Sequence, residues 1–192
     1  MRGQDLVGHQ KLAAKKLVPQ SAIFVPVPEA DAAIGTWRAV HDPRARSGVP
    51  AHITLVVPWL PPAEINERHF DEVDALLSRQ RAFDYSLDKV QWFGDRVLWL
   101  APTPAEPFKR LTWLLAAHFG TPPWQGEFPE VVPHLTVGIA GYAVDSTLAE
   151  AAEDIAPRLP LVCRAREIDV MCGDGLRWSV VHKTQLHDEP AV

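Results

Sequence analysis

Two short segments of this sequence share the pattern His-x-Thr: His52-Ile53-Thr54 and His134-Leu135-Thr136. A histidine titrates near neutral pH, so one imidazole can accept a proton while a second donates one. A threonine hydroxyl can donate a hydrogen bond to an oxygen on which negative charge develops. Cleavage of a phosphodiester needs a base for the attacking hydroxyl or water and an acid for the departing oxygen. The two segments together therefore favour acid–base chemistry at a phosphate ester.

Each segment is predicted to be a β-strand with one polar face. Side chains alternate along a strand, so an imidazole and a hydroxyl two residues apart lie about 7 Å from each other on one face. The alternation predicts that His52, Thr54 and Val56 share a face, and that His134, Thr136 and Gly138 do likewise. The intervening side chains are apolar and must enter the core: Ile53, Leu55, Val57, Leu135, Val137 and Ile139.

The elements around the motifs form a repeat. Hydrophobic patterns predict strands near residues 21–27, 83–92, 96–101, 161–171 and 176–186, and helices near residues 29–41, 61–77, 105–119 and 145–157. In each half, a strand and a helix lead through a Pro-rich loop to a His-x-Thr strand, and a helix and a strand follow. The turns also match, Gly94-Asp95 against Gly173-Asp174. Two copies suit a bilobal α+β protein whose halves face each other.

The paired motifs, 82 residues apart from His52 to His134, resemble those of the 2H phosphoesterase superfamily. That superfamily includes the bacterial 2′-5′ RNA ligase-like proteins and the 2′,3′-cyclic nucleotide phosphodiesterases, and the resemblance covers roughly residues 21–186. It implies an α+β fold in which two antiparallel sheets line a central groove, with helices on the outside. It also implies that His52 and His134 are catalytic, that Thr54 and Thr136 bind phosphate, and that no metal or other cofactor takes part.

The charge and hydrophobicity of the sequence limit the kinds of binding partner that are expected. The net charge of −5 disfavours long duplex nucleic acid, which binds to basic surfaces. A small phosphoester or an RNA end suits this charge better. No segment looks like a signal peptide or is apolar enough to span a bilayer, so a cytoplasmic protein without membrane contact is expected, as a monomer. The expected organisation is an N-terminal extension over residues 1–20, a bilobal domain over 21–186 and a tail over 187–192.

Other residues near the motifs are candidates for the rim of the site. Arg44 and Arg46 precede the first motif and could bind a phosphate, although a solvated loop would explain them equally well. Aromatic side chains near the motifs could stack on a base, although most aromatic residues are core: Trp59, Trp124, Phe128 and Tyr142.

The same residues also fit other interpretations. The histidines could be core residues bonded to backbone groups, which would leave the doubled threonine unexplained. A zinc site would need a third ligand, and the other histidines form no pair with ligand spacing. The leading hypothesis is an enzyme that opens 2′,3′-cyclic phosphates or acts on RNA ends, including reversible 2′-5′ joining. A nucleotide- or RNA-binding module without turnover, or a phosphodiesterase with a non-nucleotide substrate, would carry the same motifs.

Overall fold

The computed structural model describes residues 19–126, 130–143 and 146–188. Within these residues the helices are α1 (Asp31–His41), α2 (Pro43–Arg46), α3 (Glu67–Leu77), α4 (Glu106–Phe119) and α5 (Leu148–Ile155). The strands are β1 (Gln20–Pro26), β2 (His52–Val56), β3 (Phe83–Phe93), β4 (Val97–Thr103), β5 (Leu135–Ile139), β6 (Leu161–Ala165), β7 (Glu167–Gly173) and β8 (Trp178–Gln185). Residues 1–18 and 189–192, and with them most of the expected extension and tail, lie outside the described residues. None of the described helices has both the length and the apolar character needed to cross a bilayer.

The strands form two four-stranded antiparallel sheets, as expected. The first sheet has the order β2-β1-β7-β8 and the second has the order β5-β4-β3-β6. Both His-x-Thr motifs therefore begin at an edge strand, β2 in the first sheet and β5 in the second. These two edge strands contact each other, which brings the two motifs together.

Each of the two sheets contains strands from both halves of the sequence. The prediction of one strand over 161–171 is wrong, because β6 pairs with β3 in the second sheet whereas β7 pairs with β1 in the first. The alternation of buried side chains changes phase at this point, from Cys163 and Ala165 to Ile168 and Val170. The chain thus crosses between sheets at Arg166, and β7 and β8 complete the sheet that the first half begins.

The longer helices also connect the halves. Helix α1, from the first half, packs against β5, and helix α4, from the second half, packs against β2. Ile34 of α1 and Leu111 and Leu115 of α4 enter one continuous apolar cluster that includes Ile53 of β2. Each motif strand is therefore supported from behind by a helix that belongs to the other copy of the repeat.

Local signals set the helix boundaries. The prediction of one helix from Pro61 is wrong at its start: Pro62–Glu64 form a 3₁₀ turn, and α3 begins after Asn66, whose side chain accepts from the Arg68 amide at 3.2 Å. Helix α5 begins after Thr147, which forms a capping box with Glu150. In both cases a polar cap determines where the helix begins, and the hydrophobic pattern alone does not show it.

The two matching turns follow strands in equivalent positions but are followed by strands in different positions. Gly94-Asp95 follows β3 and leads to β4, whereas Gly173-Asp174 follows β7 and leads to β8. In the order of the sheets, β3 corresponds to β7 and β4 corresponds to β1. The similar sequences after the two turns therefore occupy different places, so Trp99 has no structural counterpart in Trp178.

Candidate active site

The two motifs have the same pattern of burial. His52 and Thr54 are partly exposed while Ile53 and Leu55 are buried, as the alternation of a strand predicts. His134 and Thr136 are likewise partly exposed, with Leu135 and Val137 buried between and after them. The four polar side chains therefore lie outside the apolar core, three of them on the contacting strands β2 and β5 and His134 immediately before β5.

The alternation of side chains between the two faces of each motif strand is interrupted just after the threonine. In the first sheet Phe24 pairs with Thr54 but Ile23 pairs with Val56, so β2 has one extra residue, Leu55. In the second sheet Trp99 pairs with Thr136 but Leu98 pairs with Gly138, so the extra residue of β5 is Val137. These are β-bulges, which turn the following residue to the opposite face.

The bulges correct one expectation from the sequence. Val56 and Gly138 do not share the face of the histidines. Val56 lies in the core opposite Ile23, and Gly138 lies against His41 of α1. The polar groups on the face of each histidine are thus the histidine and the threonine. The bulge in β5 also moves Ile139, opposite Val97, from the expected core face to the face of Thr136.

Each histidine is fixed by a backbone carbonyl two residues before it. His52 Nδ1 lies 2.8 Å from the Pro50 oxygen, and His134 Nδ1 lies 2.7 Å from the Val132 oxygen. A carbonyl oxygen can only accept, so Nδ1 of each ring must carry a proton and donate it. In the neutral ring, Nε2 is then an acceptor, which is the state that a general base requires.

Aromatic rings lie against both histidines. The Phe24 ring centroid is 4.8 Å from that of His52, and the Trp99 centroid is 5.8 Å from that of His134. Phe93 contacts His134 edge-on at 5.0 Å and stacks on Trp99 at 4.7 Å. The predicted rim residues did not include these three aromatics, because their contact with the motifs depends on strand pairing and not on closeness in sequence.

The surroundings lower the pKa of both imidazoles. Burial lowers the pKa of His52 to about 4; the bond to Pro50 opposes this shift, and the nearby charges of Arg38 and Asp42 act in opposite directions. Burial also lowers the pKa of His134, against the effect of the bond to Val132. Both rings are therefore neutral at pH 7 in the free protein, and each gains a proton more readily when an anion is bound nearby.

The structure places the two predicted arginines on α2. Arg44 is an exposed residue, and its guanidinium lies 5.3 Å from the centroid of the Trp178 ring. Arg46 donates to the Val40 oxygen at 2.9 Å and to the Tyr142 oxygen at 3.1 Å, and so joins α2 to the turn after β5. A role for either side chain in phosphate binding remains a prediction.

The predicted aromatic rim residues differ in their surroundings. Trp59 is 4% exposed and packs edge-on against Phe119 at 5.1 Å, which contradicts a position at the rim. Tyr142 is exposed beside Arg46, at 6.0 Å from the guanidinium to the ring centroid. Phe128 and the side chain of Trp124 lie outside the described residues.

A metal site does not emerge from the described residues. No three His, Cys, Asp or Glu side chains among them come together as a set of metal ligands. The chemistry that these residues offer at the motifs is proton transfer by two imidazoles and hydrogen bonding by two hydroxyls.

Two antiparallel sheets, with a His-x-Thr motif at an edge of each, agree with the fold that the resemblance to the 2H phosphoesterases implies. The 2′-5′ RNA ligase superfamily matches residues 26–176, and the chain therefore belongs to that superfamily. No curated protein matches the sequence significantly.

Several solved structures have a similar fold. Apo LigT of E. coli is 22% identical, with a TM-score of 0.53 over 88% of this chain and 99% of that chain. TT0787 of Thermus thermophilus is 21% identical, with a TM-score of 0.54 over 89% of this chain and 100% of that chain. LigT complexed with 3′-AMP is 23% identical, with a TM-score of 0.52 over 88% and 99% of the two chains. At this level of identity the similarity concerns the fold.

Proposed function

We propose that this protein is a metal-independent phosphoesterase that hydrolyses 2′,3′-cyclic phosphodiesters of nucleotides or RNA ends. His52 and His134 are its acid–base pair, and Thr54 and Thr136 bind the phosphate. The observation that carries the proposal is the matched fixing of the two rings, with each Nδ1 held by a backbone carbonyl. A histidine that served only packing would have no need of the same partner at the same spacing in both sheets.

The reaction uses the two rings in opposite protonation states. The Nε2 atom of one ring accepts a proton from water as the water oxygen bonds to phosphorus. The other ring, protonated at Nε2, donates a proton to the ribose oxygen as its bond to phosphorus breaks. The product is a nucleoside monophosphate, and the net change is addition of one water. The two threonine hydroxyls donate to the non-bridging oxygens, where charge builds up in the transition state.

The low pKa values fit an anionic substrate. In the free protein both rings are neutral, so the acid must take up its proton when the phosphodiester binds. The negative charge of the phosphate favours that protonation. Substrate binding and formation of the active protonation state thus support each other.

Relatives support a nucleotide as the substrate class. Structures of E. coli LigT have been solved with NADP⁺, with 3′-AMP and with ATP. A ribose hydroxyl in place of water as the nucleophile would give 2′-5′ joining by the same two proton transfers, so we propose reversible ligation of RNA ends as a related reaction.

The test is incubation of the protein with the four 2′,3′-cyclic nucleoside monophosphates and chromatography of the products. We expect a monophosphate of a single type, and its 2′ or 3′ position identifies the oxygen that leaves. Formation of no monophosphate from any of the four, nor from an RNA ending in a cyclic phosphate, would contradict the proposal. Tight binding of these compounds without turnover would instead support a binding module.

A further inference from the structure

A buried ion pair contacts the segment that leads to His52. Arg38 is 4% exposed and Asp42 is 2% exposed, and Nη2 of the arginine lies 2.7 Å from Oδ2 of the carboxylate. The pair joins α1, where Arg38 occupies the last turn, to the residue that follows the helix. Removal of two charges from water is costly, and the attraction between them often does not recover this cost. Its burial therefore calls for a reason other than stability.

The pair also anchors the segment that leads to His52. Arg38 Nη2 donates to the Val49 oxygen at 3.3 Å, and Asp42 Oδ1 accepts from the Arg44 amide at 2.8 Å. Both ends of the segment 44–49 are thus tied to one ion pair. The next residue is Pro50, which has no amide proton of its own to hold it in place.

The Pro50 carbonyl is the partner of His52. It accepts from Nδ1 at 2.8 Å, and the following carbonyl, that of Ala51, accepts from the Val27 amide at 2.8 Å. Pro50 is therefore held from one side by the anchored segment and from the other by the end of β1. A shift of its oxygen would rotate the ring that it fixes and redirect Nε2.

We propose that the Arg38–Asp42 pair is a positioning device for His52, which holds the Pro50 carbonyl in place and so sets the direction of Nε2. This inference rests on the proposed function, because Nε2 of His52 matters only if it transfers a proton. The two residues are positioning residues, since they act through Pro50.

The electrostatic effects of the two partners give a specific signature. Arg38 lowers the pKa of His52 and Asp42 raises it, while His134 lowers it only when its own ring is protonated. Replacement of Arg38 should therefore raise the pKa of His52, and replacement of Asp42 should lower it. General loosening of the fold would act differently, because it would shift the pKa toward its ordinary value in both variants.

The experiment measures the titration of His52 by NMR in Arg38→Met, Asp42→Asn and the double variant. We expect shifts in opposite directions in the single variants, a value near that of the unmodified protein in the double variant, and little change at His134. This readout needs no substrate, so it stands even if the proposed reaction fails. Shifts in the same direction, or no shift in either variant, would overturn the inference.

Activity provides the second measurement. A displaced Nε2 should lower kcat about 10- to 100-fold with little change in KM, since a misplacement of 1 Å can cost about 100-fold. Arg38→Lys keeps the charge but lacks the planar fork, so it should retain the His52 titration and lose part of kcat; it also serves as the test if Arg38→Met does not fold. If the unmodified protein is active and kcat is unchanged in every variant, the positioning role is overturned.

The chain offers a matched control. Arg68 and Glu72 form another i,i+4 pair, at 2.9 Å, but the arginine side chain is 85% exposed on α3. Arg68→Met removes an equivalent charge and should change neither the His52 titration nor kcat. A loss of kcat in this variant equal to that in Arg38→Met would assign the effect to charge alone and contradict positioning.

Discussion

Phe24 and Trp99 occupy equivalent places in the two sheets. Each pairs with the motif threonine across the strands, each lies beside a bulge, and the ring of each lies against the motif histidine. The two halves therefore share a local arrangement although one uses a phenylalanine and the other a tryptophan. The surroundings differ beyond this shared arrangement, since Phe93 extends the aromatic contact on the side of His134.

Phe93 is expected to contribute to activity more than to stability. Its side chain is 38% exposed, yet it contacts His134 and stacks on Trp99. Phe93→Ala should lower kcat/KM several-fold because His134 loses one of its supporting rings, while the free energy of unfolding falls by about 1 kcal/mol, the scale of one aromatic pair. Steady-state kinetics and urea denaturation measure the two effects.

Trp113→Ala is the control for Phe93→Ala. Trp113 is 55% exposed on α4 and is not among the aromatic residues in contact with either histidine. Its replacement should leave kcat/KM unchanged. Equal losses in the two variants would show that the Phe93 effect comes from general loss of aromatic surface.

The threonine hydroxyls are expected to act in the transition state. Thr54→Val and Thr136→Val keep the shape of the side chain and remove only the donor, and both residues are partly exposed, so the fold should persist. Loss of one donor to a developing oxyanion costs about 100- to 1,000-fold in kcat in well-studied sites. We expect a fall in kcat of about that size with a smaller change in KM. A variant that changed KM alone would show that the hydroxyl serves ground-state binding.

The low pKa of His52 makes stability depend on pH. In the unfolded chain the ring has its ordinary pKa of 6.5, whereas burial holds the pKa at about 4 in the folded protein. Between these values the unfolded chain binds more protons, so the free energy of unfolding falls as the pH falls from about 7 to about 4. From pH 7 to pH 5 the contribution of His52 is about 1 to 2 kcal/mol.

His52→Gln should remove this dependence. Urea denaturation at pH 7 and pH 5 should show a smaller loss of stability in the variant than in the unmodified protein, and His134, whose pKa is also lowered, accounts for part of the remaining slope. An identical slope in both proteins would mean that His52 is not desolvated in the folded state.

Gly138 is required by the close approach of α1 to β5. A Cβ atom at this position would overlap Cβ of His41 and lie 2.7 Å from Cδ2 of Leu148. Gly138→Ala should therefore destabilise the protein by about 1 to 3 kcal/mol, as overpacking does elsewhere. The melting temperature measures the effect.

Gly35→Ala is the matched control, because a Cβ there meets nothing within 4 Å and the residue lies inside helix α1. It should be neutral or stabilise the protein by up to about 1 kcal/mol, the gain of alanine over glycine in a helix. Destabilisation by Gly35→Ala comparable with that of Gly138→Ala would contradict the steric explanation.

The sequence predicted the motif strands well because their signals are local. The alternation of His52, Ile53 and Thr54 shows which side chains leave the core, and the same holds for the second motif. The bulges were not predictable from this alternation, since the extra residues, Leu55 and Val137, are apolar and would be buried with or without a bulge.

The pairing of distant strands was also beyond the sequence pattern. β1 pairs with β7, which is far from it in the sequence, and this pairing places Phe24 opposite Asp169. No local signal in the sequence specifies that partner. Because strand pairing was not predictable, the contacts of Trp99 and Phe93 with His134 were not predictable either. The burial of Arg38 was also not predictable, because its charge suggests an exposed helix face and only the packing of α1 against β5 shows otherwise.

The most direct test of the account is hydrolysis of 2′,3′-cyclic nucleotides in the presence of excess EDTA by the unmodified protein and by His52→Ala, His134→Ala and His118→Ala. His118 is an exposed histidine that contacts Glu72, and serves as the control. We predict activity that resists EDTA, a loss of about 100- to 10,000-fold in each motif variant as general acid–base catalysis implies, and no loss in His118→Ala. Full activity in either motif variant, or abolition of activity by EDTA with recovery on addition of a metal ion, would contradict a metal-independent two-histidine mechanism.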